Sequence, residues 1–404
     1  MTGDAAARGS SGGSGGLKPS PPVEGVKTLG VGMVGYAFMG RAHSQAWRTV
    51  GHFFELPFAP RMAAICGRDH AAVVAAARRL GWAAWETDWK RLVDRDDVEL
   101  VDVCTPGSSH AEISIAALEA GKHVLCEKPL ANTVDEARAM AAAASRAAAV
   151  GVRAMVGFNF RRVPAVALAK ELIAGGRLGA VRQVRAAYLG AHLVDPEFPL
   201  VWRLRADQAG SGALGDLGAH AIDLAQYLAG DHITGVSGLT ETFVRERPLP
   251  EGGGRGPVTV DDAALFIARF GGGAVGSFEA TRFATGHAEG LSVEVNGELG
   301  SVVWELGALN QLRVFDATAD PATQGFRTVQ VTKAGHPYAG AWWPDGHTIG
   351  YEHTFTHEVR DLLVAIAAGS DPVPSFADGL QVQQVLDAVQ RSAAAGSTWT
   401  EVAT

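Results

Sequence analysis

The chain has 404 residues, of which 47% are hydrophobic and 19% are charged, and its formal net charge at pH 7 is −8. That composition excludes a largely disordered protein, and the length indicates two or three domains. The negative charge argues against nucleic acid or an anionic membrane as the main partner, and no apolar run in the sequence reaches the roughly 18 residues of a membrane span.

Residues 1–25 are rich in Gly, Ser, Ala and Pro and lack the apolar stretch of a secretory signal, so we expect a disordered tail. Five apolar runs then predict buried parallel strands, at residues 28–34, 61–66, 100–105, 123–127 and 154–158. Helical stretches separate them, at residues 39–49, 70–80, 109–120 and 134–149. This alternation predicts an α/β chain that begins with a Rossmann-type, doubly wound parallel sheet over residues 26–155.

The second half changes character after a helix near residues 164–174. Closely spaced strand-like runs follow, at residues 181–188, 236–245, 263–270, 274–281, 291–296, 301–306, 312–315 and 328–332. Glycine-rich turns between several of them predict a large, mostly antiparallel open sheet. Two further helices, at residues 354–368 and 379–395, complete an α+β domain over residues 156–404 and are expected to pack back on the first domain.

The first predicted strand runs into a glycine-rich turn, Gly32 to Gly40, that opens a helix. Such a turn lets backbone N–H groups approach a pyrophosphate, and the helix N-terminus adds partial positive charge. Ala37 stands where a GxGxxG fingerprint has its middle glycine, so a plain strand–helix turn is the alternative. We predict a dinucleotide site whose pyrophosphate is bound by four residues, Gly35, Tyr36, Phe38 and Met39.

The second predicted strand ends at Cys66, followed by Gly67, Arg68 and Asp69. A carboxylate at this point binds the ribose hydroxyl of NAD, whereas an arginine accommodates the extra phosphate of NADP. Gly67 replaces the acid and Arg68 follows it, which favours NADP slightly. Because Asp69 is also an acid near this point, NAD remains a candidate cofactor. The alternative for Arg68 is that it is only a solvated turn residue without a role in cofactor binding.

Glu127, Lys128 and Pro129 follow another predicted strand, at the sheet edge where ligands of such folds bind. A lysine there can polarise a substrate hydroxyl, although a lone lysine at a strand end is often only a surface residue.

Asp216 and His220 are four residues apart and are expected to share one face of a helix. Histidine, with an ordinary pKa near 6.5, suits the removal of a hydroxyl proton at neutral pH, and Asp216 could orient the substrate or the imidazole. A solvated helix face is the alternative. We predict Lys128, Asp216 and His220 as catalytic residues.

The glycine loop, residues 119–129 and the Asp216–His220 stretch together resemble the Gfo/Idh/MocA oxidoreductases, over about residues 27–400. The resemblance implies NAD or NADP as cofactor, the same catalytic residues, and a homo-oligomer, a dimer or tetramer, formed through the C-terminal sheet. It places Thr105, Pro106, His110 and Glu127 toward the ribose and nicotinamide. Gly107 stands where the family often has asparagine.

Within that family the chain looks similar to sugar and anhydrosugar dehydrogenases, on residues 159–162, 202–203 and 336–338. Arg162, Trp202 and Arg203 are therefore expected to contact substrate, although simple packing is equally open for Trp202. We predict hydride transfer between a nicotinamide and a secondary hydroxyl or ketone of a sugar-like small molecule. The alternatives are a cyclitol dehydrogenase of inositol type and a catalytically silent dinucleotide-binding regulator.

Three cysteines, Cys66, Cys104 and Cys126, each lie at or near the end of an apolar run, and no CxxC pair occurs in the sequence. We expect three buried thiols in a reducing cytoplasm, and neither a disulfide nor a metal site.

Overall fold

The computed structural model describes residues 27–403, so the tail predicted for residues 1–25 lies outside the described part of the chain. Within residues 27–403, no helix combines the length and apolarity needed to cross a membrane.

Six parallel strands form the first sheet, in the order β3-β2-β1-β4-β5-β6. The strands are β1 Lys27–Val34, β2 Phe58–Cys66, β3 Ala84–Glu86, β4 Leu100–Val103, β5 His123–Glu127 and β6 Ala154–Gly157. The helices between them are α1 Phe38–Phe53, α2 His70–Leu80, α3 Trp89–Val93, α4 His110–Glu119 and α5 Val134–Ala148. The strand order reverses between β1 and β4, which is where ligands bind in doubly wound folds. The predicted parallel sheet is confirmed.

Local sequence explains why α2 has the bounds that were predicted for it. The side chain of Asp69 accepts a hydrogen bond from the backbone N–H of Ala72 at the start, and Gly81 ends the helix in the left-handed conformation. The short elements β3 and α3 were not predicted, because three and five residues are too few to show a period.

Nine strands form the second sheet, in the order β16-β15-β14-β13-β7-β12-β11-β8-β17. They are β7 Val181–Gly190, β8 Ile233–Glu241, β11 Ala263–Phe270, β12 Val275–Thr281, β13 Glu289–Gly297, β14 Gly300–Glu305, β15 Gln311–Asp316, β16 Arg327–Gln330 and β17 Thr400–Glu401. A separate hairpin joins β9 Glu246–Pro248 and β10 Arg255–Pro257. The pair β7–β12 is parallel and the other neighbours are antiparallel, which confirms a mostly antiparallel sheet.

Helices of the second half are α6 Pro164–Ala174, α7 Ala206–Ala209, α8 Ala219–Ala229, α9 Tyr351–Ala368 and α10 Phe376–Ala394. Three of them, α6, α8 and α10, pack against the nine-stranded sheet. The other face of that sheet exposes apolar side chains, among them Leu239, Leu265 and Ile267. The two-residue strand β17 pairs with the edge of β8, and the ring of Trp399 lies against Gly235.

The last two helices pack on the first half, α9 against α1 and α10 against α5. The predicted domain boundary at residue 155 falls inside β6. We propose a division after Gly157, because that position keeps the first sheet whole.

Candidate active site

The glycine loop after β1 is built for close backbone approach. Gly35 has a φ of +106°, and a Cβ there would lie 2.6 Å from the carbonyl oxygen of Cys104. A Cβ on Gly40 would lie 2.3 Å from the carbonyl oxygen of Gly35. Phe38 and Met39 begin α1, and Ala37 gives it no side-chain cap. The first N–H groups of α1 therefore remain available to an anion such as a pyrophosphate.

At the end of β2, the ring of Tyr36 packs on Gly67, where a Cβ would lie 1.9 Å from a ring carbon. The carboxylate of Asp69 is used as the cap of α2. Arg68 is exposed, and its side chain makes no hydrogen bond or ion pair with residues 27–403. Among Gly67, Arg68 and Asp69, only Arg68 therefore has a charged side chain that can still bind a ligand.

Lys128 follows β5 and reaches across to the second half of the chain. Its Nζ donates to the carbonyl oxygen of Asp216 at 2.7 Å and lies 3.2 Å from Oδ1 of the same residue. Beside it, Glu127 is buried, and its Oε2 accepts from the backbone N–H of Lys128 at 3.1 Å. Oε1 of Glu127 lies 2.8 Å from Nε2 of His43, a residue that the sequence analysis did not single out.

Asp216 binds two cations. Its Oδ2 accepts from Arg282, the residue after β12, at 2.9 Å. Burial raises the pKa of Asp216, but the charges of Lys128 and Arg282 outweigh burial and hold that pKa well below its usual range. The carboxylate is therefore ionised throughout the neutral range.

Asp216 and His220 lie on one continuous helical stretch, which has a π-helical turn at the aspartate. Asp216 lies in a π-helical turn, Leu214–Gly218, and α8 begins at Ala219. The oxygens of Asp216 bind Lys128 and Arg282, so the aspartate orients the lysine and not the imidazole.

The imidazole of His220 is buried among aromatic rings. Its ring centroid is 4.8 Å from that of Phe160 and 5.9 Å from that of Tyr188, and its Nδ1 has no hydrogen-bond partner. Burial and the charge of Lys128 lower the pKa of His220 well below 6.5, against the opposing effect of Asp216. His220 is therefore neutral at pH 7, which is the form that can accept a proton.

His110 fastens two strand ends to each other. Its Nε2 lies 2.8 Å from the carbonyl oxygen of Thr105, which with Pro106 follows β4, and its Nδ1 lies 3.0 Å from that of Pro129. Both acceptors are carbonyls, so both ring nitrogens must carry protons for the two bonds to form. Burial lowers the pKa of His110, but the Cys126 thiol and the two carbonyls outweigh burial and raise it to about 9.

Gly107 is explained by a neighbour. A Cβ at this position would lie 2.3 Å from Oδ1 of Asn132, which comes from the segment between β5 and α5. The amide of Asn132 donates to the carbonyl oxygen of Gln208 at 2.9 Å. The side chain of Asn132 thus fills the space that a larger residue at position 107 would need.

The structure separates the three predicted substrate contacts. The guanidinium of Arg203 lies 4.4 Å from the ring centroid of Trp202, and its charge helps to lower the pKa of Asp216. These two residues therefore flank the site. Arg162 does not join them, because it is buried and pairs with Asp361 of α9 at 3.2 Å.

Sequence reasoning missed Arg282, Tyr188 and Glu289. Tyr188 and Glu289 lie on neighbouring strands, and burial together with Glu289 raises the pKa of Tyr188. In the sequence these residues appear as ordinary members of alternating strands, and no local spacing connects them to Asp216.

Comparison with known proteins gives two family matches. Residues 29–158 match the model of an oxidoreductase family with an NAD-binding Rossmann fold, and residues 166–303 match the GFO/IDH/MocA C-terminal domain. The chain is 42% identical to levoglucosan dehydrogenase of Pseudarthrobacter phenanthrenivorans over 93% of this chain and 99% of that protein.

Two solved structures have the same fold. The crystal structure of an oxidoreductase domain protein from Kribbella flavida is 61% identical, with a TM-score of 0.92 over 94% of this chain and 100% of that one. Levoglucosan dehydrogenase in complex with NADH and levoglucosan is 42% identical, with a TM-score of 0.89 over 93% of this chain and 100% of that one.

Proposed function

Because the chain belongs to the GFO/IDH/MocA family of oxidoreductases, we propose that it transfers a hydride between a nicotinamide and a secondary hydroxyl or ketone of a sugar or anhydrosugar. The observation that carries this proposal is the meeting of Lys128 with Asp216, beside an imidazole whose Nδ1 is unpartnered. A catalytically silent regulator on the same fold would not need these groups.

The residues present fit a dinucleotide. The loop around Gly35 and the uncapped start of α1 would hold the pyrophosphate. The segments fastened by His110, together with Glu127, would lie beside the ribose and nicotinamide, since they end strands at the carboxyl edge of the sheet. Bound nicotinamide supplies the hydride acceptor in oxidation and the hydride donor in reduction.

The remaining chemistry belongs to side chains. In oxidation the carbinol loses a hydride and its hydroxyl loses a proton, leaving a ketone. The Lys128 ammonium polarises the oxygen, and neutral His220 accepts the proton. Asp216, held by Arg282, positions the lysine, while Trp202 and Arg203 contact the sugar at the rim. Arg162 is left out of this proposal because it faces α9.

Cofactor choice is the finer part of the proposal. The levoglucosan dehydrogenase complexes contain NADH. In this chain Arg68 is exposed beside Gly67, and no acid stands at the Gly67 position. We propose that both dinucleotides bind and that Arg68 favours the one with a 2′-phosphate.

A substrate panel tests the function. Sugars, anhydrosugars and inositols are offered with NAD and with NADP, and the absorbance of the reduced nicotinamide is followed. Turnover of a sugar or anhydrosugar supports the proposal, and turnover confined to inositols favours a cyclitol dehydrogenase. Tight dinucleotide binding without turnover of any polyol indicates the silent regulator.

The exposed face of the nine-stranded sheet supports a homo-oligomer, a dimer or tetramer, because Leu239, Leu265 and Ile267 project from it together. Light scattering of the wild type and of Ile267→Asp tests this, and a monomer in both would contradict it. A cytoplasmic location stays a prediction.

A further inference from the structure

A buried histidine on α1 bridges two carboxylates behind Lys128. Nδ1 of His43 lies 3.0 Å from each carboxylate oxygen of Asp102, on β4, and its Nε2 lies 2.8 Å from Oε1 of Glu127, on β5. His43 is 1% exposed, and both carboxylates are buried. A neutral imidazole has one N–H group, so only the imidazolium can donate to both carboxylates.

The other groups around His43 are consistent with a cation. Trp47 donates to Oδ2 of Asp102 at 2.7 Å, and the Cys104 thiol lies 3.4 Å from Oδ1. From α9, the ring of Phe355 packs 5.3 Å from the imidazole, and the Glu358 carboxyl, whose pKa burial raises to about 8, is protonated at neutral pH. Burial lowers the pKa of His43, but the charge of Asp102 outweighs burial and raises it well above 6.5.

The bridge ends at the backbone of Lys128. Glu127 is held by two donors, His43 at one oxygen and the backbone N–H of Lys128 at the other. His43 itself belongs to the helix that begins in the glycine loop. One imidazole therefore connects the pyrophosphate-side helix, the end of β4 and the segment that carries Lys128.

We propose that His43 is a positioning residue for hydride transfer, which as a buried imidazolium holds Glu127 and, through Glu127, fixes Lys128 relative to the dinucleotide. The proposal rests on the proposed function, because it assigns Lys128 the polarising role described above. It adds a residue that touches neither substrate nor the reacting atoms.

A metal ion is the rival explanation for this cluster. The ligand-type atoms of His43, Asp102 and Cys104 all lie within 4.8 Å of one another. Nδ1 and the carboxylate oxygens already face each other at hydrogen-bond distance, however. Burial and Asp102 also raise the pKa of the Cys104 thiol, which disfavours the thiolate that zinc requires.

Nitrogen NMR of the full chain labelled at histidine, without substrate or dinucleotide, tests the protonation state. The resonances of His43 are assigned by their loss in His43→Gln. We expect both ring nitrogens of His43 to remain protonated from about pH 6 to pH 8, the interval over which an ordinary histidine loses one proton. An unprotonated ring nitrogen at pH 7, or a stoichiometric metal ion in the purified protein whose removal shifts these resonances, would overturn the proposal.

Two variants test positioning. His43→Gln keeps one donor toward Glu127 but turns its carbonyl toward Asp102, so we expect turnover to fall by ~10- to 100-fold with NADH affinity within a few-fold. Adding Asp102→Asn supplies an amide that donates to the glutamine carbonyl, and the double variant should recover most of the lost turnover. His52→Gln, at the exposed end of α1, is the control and should match the wild type.

A double variant no faster than His43→Gln, with the same melting temperature as that single variant, would contradict the positioning role. The NMR and NADH titrations need no sugar. If the wild type turns over no polyol, the proposed function fails, while the bridge itself is still decided by the ring protonation of His43.

Discussion

The two sides of the candidate active site differ in how completely their histidines are paired. On the side of the first sheet, His43 and His110 each have acceptors at both ring nitrogens. On the side of the second sheet, His220 lies among aromatic rings with its Nδ1 unpartnered. The first two are held as cations that fix backbone, whereas the third is neutral. The difference teaches that the first side holds the segment that carries Lys128, whereas on the second side we propose the neutral imidazole as the proton acceptor.

The largest expected effect comes from removing the unpaired histidine. His220→Asn should lower oxidative turnover by ~1000-fold, because it removes a positioned general base and keeps a polar side chain of similar size. Steady-state kinetics with a substrate from the panel measures this. His232→Asn, at an exposed position after α8, is the matched control. If the turnover of His220→Asn stays within a few-fold of the wild type, another group must be the general base.

The pH profile sharpens the same contrast. Oxidative kcat/KM should rise with pH as His220 loses its proton. Because the pKa of His220 lies well below 6.5, the midpoint of that rise should lie below pH 6.5. Asp216→Asn should move that rise further down, since removing a nearby negative charge favours the neutral ring. A wild-type inflection that persists unchanged in His220→Asn would contradict the assignment.

Lys128→Ala should lower turnover by at least ~100-fold while NADH affinity stays within a few-fold. The ammonium is expected to act on the substrate oxygen, so its loss affects the reaction more than cofactor binding. Fluorescence titration with NADH and steady-state rates separate the two quantities. Lys122→Ala, at the residue just before β5, is the control variant. Equal losses of turnover in the two variants would mean that Lys128 has no specific role in the reaction.

A smaller effect is expected on stability at His110. Its pKa is raised to about 9, so the stabilisation from its proton is complete below pH 6.5 and is lost as pH rises to 9. Relative to His110→Gln, the free energy of unfolding of the wild type should therefore fall by about 3 kcal/mol across that interval. Urea unfolding at several pH values checks this. A difference between the two proteins that does not change with pH would mean that His110 is neutral in the folded state.

The smallest effect concerns the cofactor. Arg68→Ala should weaken NADP binding by about 10-fold and leave NAD binding nearly unchanged, since the 2′-phosphate exists only on NADP. Arg78→Ala, in the last turn of α2, is a control for general loss of positive charge. Equal losses for the two dinucleotides would mean that Arg68 does not bind that phosphate.

Patterns that repeat along the chain were sufficient to predict most of the fold. The runs that became β1, β5 and β11 are continuous or alternating, and the ends of α2 carry a cap and a glycine. Lys128 was predicted as a site residue because it follows a strand of the parallel sheet. Such signals are local, so one sequence is enough to show them.

The pairing within the site could not be predicted in the same way. Arg282 lies 66 residues beyond Asp216, and His43 lies 84 residues before Glu127. Only the packed sheets bring these residues together. The i,i+4 spacing of Asp216 and His220 does not reveal the partners of the aspartate, because Lys128 and Arg282 come from distant parts of the chain. Arg162 was expected to contact substrate, but it pairs with acidic residues of α9. The sequence does not show this pairing, because those residues are nearly 200 positions away.

The strand β17 limits what another chain can pair with at the edge of β8. A strand at the edge of a sheet leaves a row of unpaired backbone groups to which another chain can add. Here β17 covers part of β8 and is itself two residues long, while Trp399 lies over Gly235 next to it. A foreign strand therefore cannot pair with β8 at Gly235 and Val236, where β17 already occupies the backbone groups.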